Sequence, residues 1–133
     1  MDNIYIYKKK KKFPLVSVMV LDSRGDTYPH YLKTCMDSIK NQTYPNIEVI
    51  AIDNRDKIMS IGKGYNRGVY LSKGKYVLFV NDDDYISEGY ISALTDAIEN
   101  AGEANAVGST SYLTLFTQSD TGELQKEERK LYP

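Results

Sequence analysis

The sequence predicts an α/β fold on a mainly parallel sheet, and three observations carry that prediction. Three short apolar runs, LVSVMVL (15–21), IEVIAI (47–52) and YVLFV (76–80), have the length and the β-branched or aromatic content of strands. The first and third are apolar on both faces, as expected of strands central in a covered sheet. Between the runs lie segments with helical spacing, which gives the strand–helix alternation of parallel sheets. Each run also ends in acidic or polar residues: Asp22 after the first, Asp53 and Asn54 after the second, Asp82, Asp83 and Asp84 after the third. In open α/β sheets the carboxyl ends of the strands are where ligands bind.

The whole chain sets limits on this reading. Its 133 residues make one domain, and a formal net charge of −1 offers no basic field for nucleic acid. Cys35 is the single cysteine, so no intramolecular disulfide forms, and its place on an apolar helical stripe marks a packed core residue. With no apolar stretch near the roughly 20 residues that span a bilayer, and no cleavable signal, a cytoplasmic protein is expected. No internal repeat is present.

The chain divides into a basic start (1–13), a ligand-binding domain (14–117) and a hairpin or charged tail (118–133). The start, MDNIYIYKKKKKF, joins a short alternating run to the lysines Lys8 to Lys12. That block reads either as a solvated tail or as a patch drawn to an anionic membrane surface, where each lysine is worth about 1 kcal/mol. After the strand at 15–21, Asp22, Ser23, Arg24 and Gly25 form either an ordinary turn or one wall of a pocket.

A helix is expected from Pro29 to Asn41, with Leu32, Cys35 or Met36, and Ile39 buried. His30 falls at its start, a position suited to capping or solvent exposure. QTYPN (42–46) is a turn into the second strand. A second helix, Ile61 to Ser72, places Ile61, Tyr65 and Val69 on one face and has Gly74 as a candidate C-cap. Its glycines, Gly62, Gly64 and Gly68, cost about 1 kcal/mol each relative to alanine, so they imply close approach. Either the helix packs tightly on the sheet, or its start leaves amides free for phosphate, with Lys63, Asn66 and Arg67 at hand. A third helix runs from Glu88 to Ala101, with Tyr90 or Ile91, Leu94 and Ile98 inward. A strand at 105–117 and a turn at Asp120 to Gly122 follow, and the remainder reads as an edge strand or a frayed tail.

Three adjacent carboxylates repel one another unless a cation or donors compensate them. Mg²⁺ or Mn²⁺ does so with one or two carboxylates, its other positions going to water and substrate phosphate. The alternative is that Asp82, Asp83 and Asp84 cap the third helix.

The order of the pieces, PLVSVMVL, SIKNQTYPNIEVIAIDN and GYNRGVYLSKGKYVLFVNDDDYISEGYI, resembles the nucleotide-binding half of family-two glycosyltransferases from Pro14 to about Phe116. The resemblance implies a GT-A fold, a Rossmann-like three-layer sandwich in minimal or truncated form. It also implies a UDP- or GDP-sugar bound through Mn²⁺ or Mg²⁺. Asp53 matches the family aspartate that meets the nucleotide base, and Asp82 and Asp83 match the D-x-D region that meets ribose and metal. Asp22, Ser23, Asn54, Lys63 and Asn66 complete the expected nucleotide-sugar set, and Asp84 the expected metal set.

Four departures stand out, the first being that Leu21, Asp22 and Ser23 stand where the family usually has a P-T-Y-like turn. Aligned on Gly89 and Tyr90, Asn81 occupies the place of the first D-x-D acid. Tyr65 stands where arginine is common, and the link from Asp53 to Gly64 is short. The family's catalytic base comes from a later segment. Asp120 and Glu123 are the acids nearby, but their turn setting favours solvent exposure, so no base is assigned.

The leading expectation is a hexosyltransferase-type domain that transfers a sugar with inversion to an acceptor that the sequence does not identify. A nucleotide-sugar-binding module without the acceptor half is the second. The third is a Mg²⁺-binding phosphoacceptor domain, whose acidic cluster would follow the first strand, where this chain has Asp22 alone. An open sheet edge makes self-association an expectation as well.

Overall fold

The structure, a computed structural model, describes residues 13–24, 29–102, 108, 111–118 and 124–132. The Lys8 to Lys12 block and the Asp120 to Glu123 turn lie outside the described residues. The elements in chain order are β1 (Val16–Asp22), α1 (Pro29–Lys40), β2 (Ile47–Asp53), α2 (Ile61–Leu71), β3 (Tyr76–Asn81), α3 (Tyr90–Asn100), β4 (Ser111–Gln118) and β5 (Leu124–Tyr132).

The run LVSVMVL is apolar on both faces because it is central: β1 pairs in parallel with β2 on one side and β3 on the other. One face of β1, through Val16, Val18 and Val20, packs with Cys35 and Ile39 of α1, Val80 of β3 and Ile91 of α3. The other face meets α2. A Cβ on Gly64 would come within 2.5 Å of Leu21 Cδ1, and one on Gly68 within 2.6 Å of Met19 Sδ. The glycines of this helix therefore serve close packing on the sheet. This arrangement, strands ordered β2-β1-β3 with helices on both faces, is a small α/β unit of GT-A, Rossmann-like type.

Several expectations change. The strand at 76–80 is not flanked on both sides: among the described residues β3 pairs with β1 only, and Val77 and Phe79 on its α2 side remain nearly half exposed. An apolar run reports hydrophobicity, and position in the sheet depends on pairing that local sequence does not encode. The buried face of α2 is Gly64 and Gly68, whereas Ile61 and Val69 are exposed. Periodicity weighted by side-chain size misses a face made of glycine. Nor is Gly74 the cap of α2, because Ser72 fills that position with its N–H on Val69 O. Gly74 is required by contact instead: a Cβ there would lie 2.5 Å from Ser17 Oγ and 2.7 Å from Tyr76 O. Its N–H donates to Ser17 Oγ at 2.8 Å, and Ser17 Oγ in turn donates to Glu48, which also accepts from Lys73 N at 2.7 Å.

The aspartate triplet does not cap the third helix. α3 starts at Tyr90, with Gly89 as its N-cap residue making no side-chain cap. A free N–H of its first turn, that of Ile91, is accepted at 3.0 Å by Oε1 of Gln42, from the turn after α1. At the far end of the chain, Leu124–Tyr132 is a strand rather than a frayed tail, paired antiparallel with β4. No helix among the described residues is long and apolar enough to cross a membrane.

Candidate functional site

Asp22 pairs with Asp53 across β1–β2, and Leu21 with Asn81 across β1–β3, so the three strands end level at one edge. The loops that leave this edge meet there. The turn after β3 closes through Asp84 N donating to Asn81 O at 3.0 Å, which turns three consecutive carboxylates in different directions.

Asp82 turns inward and is 2% exposed. Its Oδ2 accepts from Ser23 N at 2.9 Å and Arg24 N at 3.0 Å, and its Oδ1 from the Arg24 guanidinium. A carboxylate this buried needs such donors, and ionised hydrogen bonds are the strong kind. Asp82 thus ties the β1 loop to the β3 turn, with its oxygens already engaged. Asp83, with its side chain 40% exposed, and Asp84 face outward. The Arg24 guanidinium lies 3.8 Å from Asp83 and keeps about half of its side chain in solvent. Burial would lower the pKa of Arg24, but Asp83 and Asp82 outweigh it and hold the group above its ordinary value. Desolvation, then the charge of Asp83, lifts the Asp84 carboxyl above the usual range, while Asn81 Nδ2 donates to it at 3.2 Å. One guanidinium is shared between Asp82 and Asp83, so negative charge at Asp83 and Asp84 is only partly compensated.

Behind the turn sits Cys35, fully buried, its Sγ 3.4 Å from Asn81 O. Burial, with the three aspartates adding to it, pushes its thiol up to about 12, so it is an inert packing group. The NQTYP segment holds the turn from the other side. Gln42 Nε2 donates to Ser38 O at 3.1 Å and Ser87 O at 2.6 Å, and Thr43 N donates to Glu88 O at 2.9 Å. Ile86 N donates to Ser38 Oγ at 3.1 Å. The backbone of the segment between Asp84 and α3 is thus anchored by the Ser38 and Gln42 side chains of α1 and its exit turn, and by the Thr43 N–H.

The other candidates are placed as follows. Asp22, half-buried, has its backbone oxygen bonded by Asn54 N at 2.7 Å and its carboxylate 3.8 Å from Arg55 Nε. Asp53 is exposed, its side chain 62% accessible, and is held bidentately by Arg55 at 2.9 and 2.7 Å. Those Arg55 contacts hold its carboxyl down at about 2. Asn54, 3% exposed, does not face the edge. Its amide donates to Met59 O at 2.9 Å and accepts from Met59 N at 3.1 Å, closing the short link into α2. Lys57 within that link adopts a left-handed φ of 58°. Lys63 and Asn66 are exposed on α2, and the Lys63 N–H is taken by the N-cap Ser60 Oγ at 3.2 Å.

From the same helix Tyr65 does reach the turn. Its hydroxyl donates to Asn81 Oδ1 at 2.8 Å, and its ring packs edge-on against Phe79 at 4.7 Å. Tyr65 and Asn81, two of the departures from the family pattern, therefore touch and form a neutral hydrogen-bonded pair. Burial, then the charges of Asp82 and Asp84, raises the Tyr65 pKa, which favours its donating form. Arg24 and Tyr65 are the site residues outside the expected binding sets, although the sequence placed Arg24 in the loop after the first strand and Tyr65 among the family departures. The signal for Arg24 was present as a lone cation in the loop after β1, opposite an acidic triplet at the same edge.

The donor set can be compared with a divalent cation. Among the described residues, no three His, Cys, Asp or Glu side chains converge on one metal position. With Asp82 engaged, Asp83 and Asp84 are the open carboxylates of the turn. Two carboxylates with an excess of negative charge, the remaining positions left for water and phosphate, match the coordination habit of Mg²⁺ and Mn²⁺.

Comparison with known proteins agrees with this architecture. Residues 59–125 match the model of glycosyl transferase family 2. EpsH of Bacillus subtilis, named as a glycosyltransferase, is 27% identical over 82% of the chain and 36% of its own length. An uncharacterized glycosyltransferase of Haemophilus influenzae is 29% identical over 82% of the chain and 40% of its own length. Glycosyltransferase GlyA of Streptococcus pneumoniae is 28% identical over 59% of the chain. The chain spans 15% to 40% of the length of these relatives. The match begins at the anchored link into α2 and runs through the acidic turn, and by it the chain belongs to glycosyl transferase family 2.

Proposed function

We propose that the chain binds a nucleotide-diphosphate sugar, UDP- or GDP-linked, through Mn²⁺ or Mg²⁺ at the carboxyl edge of β2-β1-β3, and supports transfer of the sugar to an acceptor with inversion. The observation that carries this reading is the division of labour in the acidic turn. Asp82 is consumed in binding the β1 loop, while Asp83 and Asp84 are exposed, with one shared guanidinium compensating only part of their charge. Asp83 and Asp84 would hold the cation, which when bound would neutralise charge on the diphosphate leaving group. Asp53 and the Asp22–Ser23 loop flank the turn at the same edge, as a wall for base and ribose. Inversion also requires a carboxylate to deprotonate the acceptor hydroxyl. No described residue fills that role, so the base and acceptor site belong to another segment or subunit in this reading. A binding module without transfer is the form it takes if none is supplied.

Family membership removes the support for a phosphoacceptor domain. A cytoplasmic location, with Lys8 to Lys12 touching an anionic membrane, completes the proposal. Co-sedimentation with vesicles containing phosphatidylserine checks it, and no binding above neutral vesicles would discard it.

The central test is calorimetric titration of UDP and GDP with Mn²⁺ and with chelator. Micromolar affinity that the chelator removes, and that Asp83→Asn abolishes without loss of stability, is the expected result. Metal-independent binding, or full affinity in Asp83→Asn, would refute the assignment.

A further inference from the structure

The acidic turn carries its own counter-charge. The Arg24 guanidinium bonds Asp82 Oδ1 and lies 3.8 Å from Asp83 Oδ2. It is not needed merely to seat the β1 loop, because Ser23 N and Arg24 N already hold the other oxygen of Asp82. Its side chain is about half exposed, so water can receive the guanidinium if it leaves. On the turn itself, Asp83 and Asp84 remain under-compensated even with Arg24 in place.

We propose that Arg24 is a resident counter-ion of the acidic turn, and that a divalent cation binding at Asp83 does so in competition with the Arg24 guanidinium. The proposal rests on the metal-dependent reading above and adds a regulatory element to it. Metal affinity is set by the β1 loop as well as by the ligands, and a loop that withdraws Arg24 raises it. A fixed unit charge about 5 Å from a dication weakens its binding roughly tenfold even at a water-like dielectric.

The test is titration of Mn²⁺ alone into the wild type, Arg24→Gln and Arg24→Lys, followed calorimetrically and by the electron paramagnetic resonance of free Mn²⁺. Glutamine removes the charge and leaves the two backbone bonds to Asp82, while lysine keeps the charge. Roughly tenfold tighter Mn²⁺ binding in Arg24→Gln is expected, with Arg24→Lys near wild type. The gain should vanish in Arg24→Gln/Asp83→Asn. Unchanged or weaker binding in Arg24→Gln, equal tightening in the Lys variant, or a gain that survives Asp83→Asn each overturns the proposal, as does absence of Mn²⁺ binding in all variants. UDP and GDP added to the same samples report separately on the nucleotide reading. Tighter metal binding with no nucleotide binding would sink that reading and leave the counter-ion role standing.

Discussion

Asp82→Ala would remove the acceptor that joins the loop after β1 to the turn after β3. Three donors lose their partner: Ser23 N, Arg24 N and the Arg24 guanidinium. The guanidinium belongs to a half-exposed side chain and rehydrates, so its share is that of a surface pair, about 0–1 kcal/mol. The two amides are partly buried against a buried carboxylate, and each loses about 1–2 kcal/mol on losing its acceptor. The expected destabilisation is about 2–5 kcal/mol. At about 1–3 kcal/mol per molar of urea, a 3 kcal/mol loss lowers the unfolding midpoint by about 1–3 M. Asp82→Asn should cost about half as much, since its carbonyl oxygen can still accept both amides while its amino group faces the arginine. Circular dichroism in urea gives both values, and hydrogen exchange at the Ser23 and Arg24 amides should speed up in the alanine variant. An Asp82→Ala protein within about 0.5 kcal/mol of wild type would refute the lacing role, as would equal losses in the two variants.

Glycines on one helix should behave oppositely. A Cβ at Gly68 would meet the interior of the buried Met19 side chain at 2.6 Å, so Gly68→Ala should lose about 1–2 kcal/mol net despite better helix propensity. Gly62 has nothing within 4 Å, so Gly62→Ala should gain up to about 1 kcal/mol, and urea melts that rank the two the other way would contradict the packing of α2. Gln42→Ala leaves Ile91 N without its acceptor and frees Ser87 O. We expect a loss of about 1–2 kcal/mol and faster exchange of the Ile91 amide, and an unchanged exchange rate would show that Gln42 does not cap α3. Asp53 should titrate at about 2 in the folded chain by carboxyl NMR, rising toward 3.8 in Arg55→Gln. Because the folded value is the depressed one, whatever stability this pair adds is present above pH 4 and lost as the pH falls from about 4 to 2. An Asp53 titration unmoved by Arg55→Gln would show that another group sets it.

Much of the architecture was legible because its causes are local. The runs LVSVMVL, IEVIAI and YVLFV become β1, β2 and β3, with boundaries moved by a residue or so, since strand-forming composition and the turn residues around it act over a few positions. The β1 run, apolar on both faces, is central as that pattern implies. The same reasoning misplaces β3, whose neighbours are decided by chain segments far from it, and it puts Ile61 and Val69 on the inner face of α2, although the glycines of that helix do signal its close approach to the sheet. Asn54 illustrates the limit at the site. Its position after β2 suggests a ligand contact, yet the shortened link turns its amide onto Met59, five residues on.

What the sequence alone determined is the alternation of strands and helices, the delivery of acids to one sheet edge and the resemblance to glycosyl transferase family 2. Composition, periodicity and motif spacing are properties of contiguous residues, and they suffice for that. Only the tertiary structure decided which of three adjacent aspartates is buried and which are open. The donors that make burial of Asp82 tolerable come from Ser23 and Arg24, 59 and 58 positions away. A carboxylate is stable inside a protein only where such donors converge, and folding of the sheet is what brings them there.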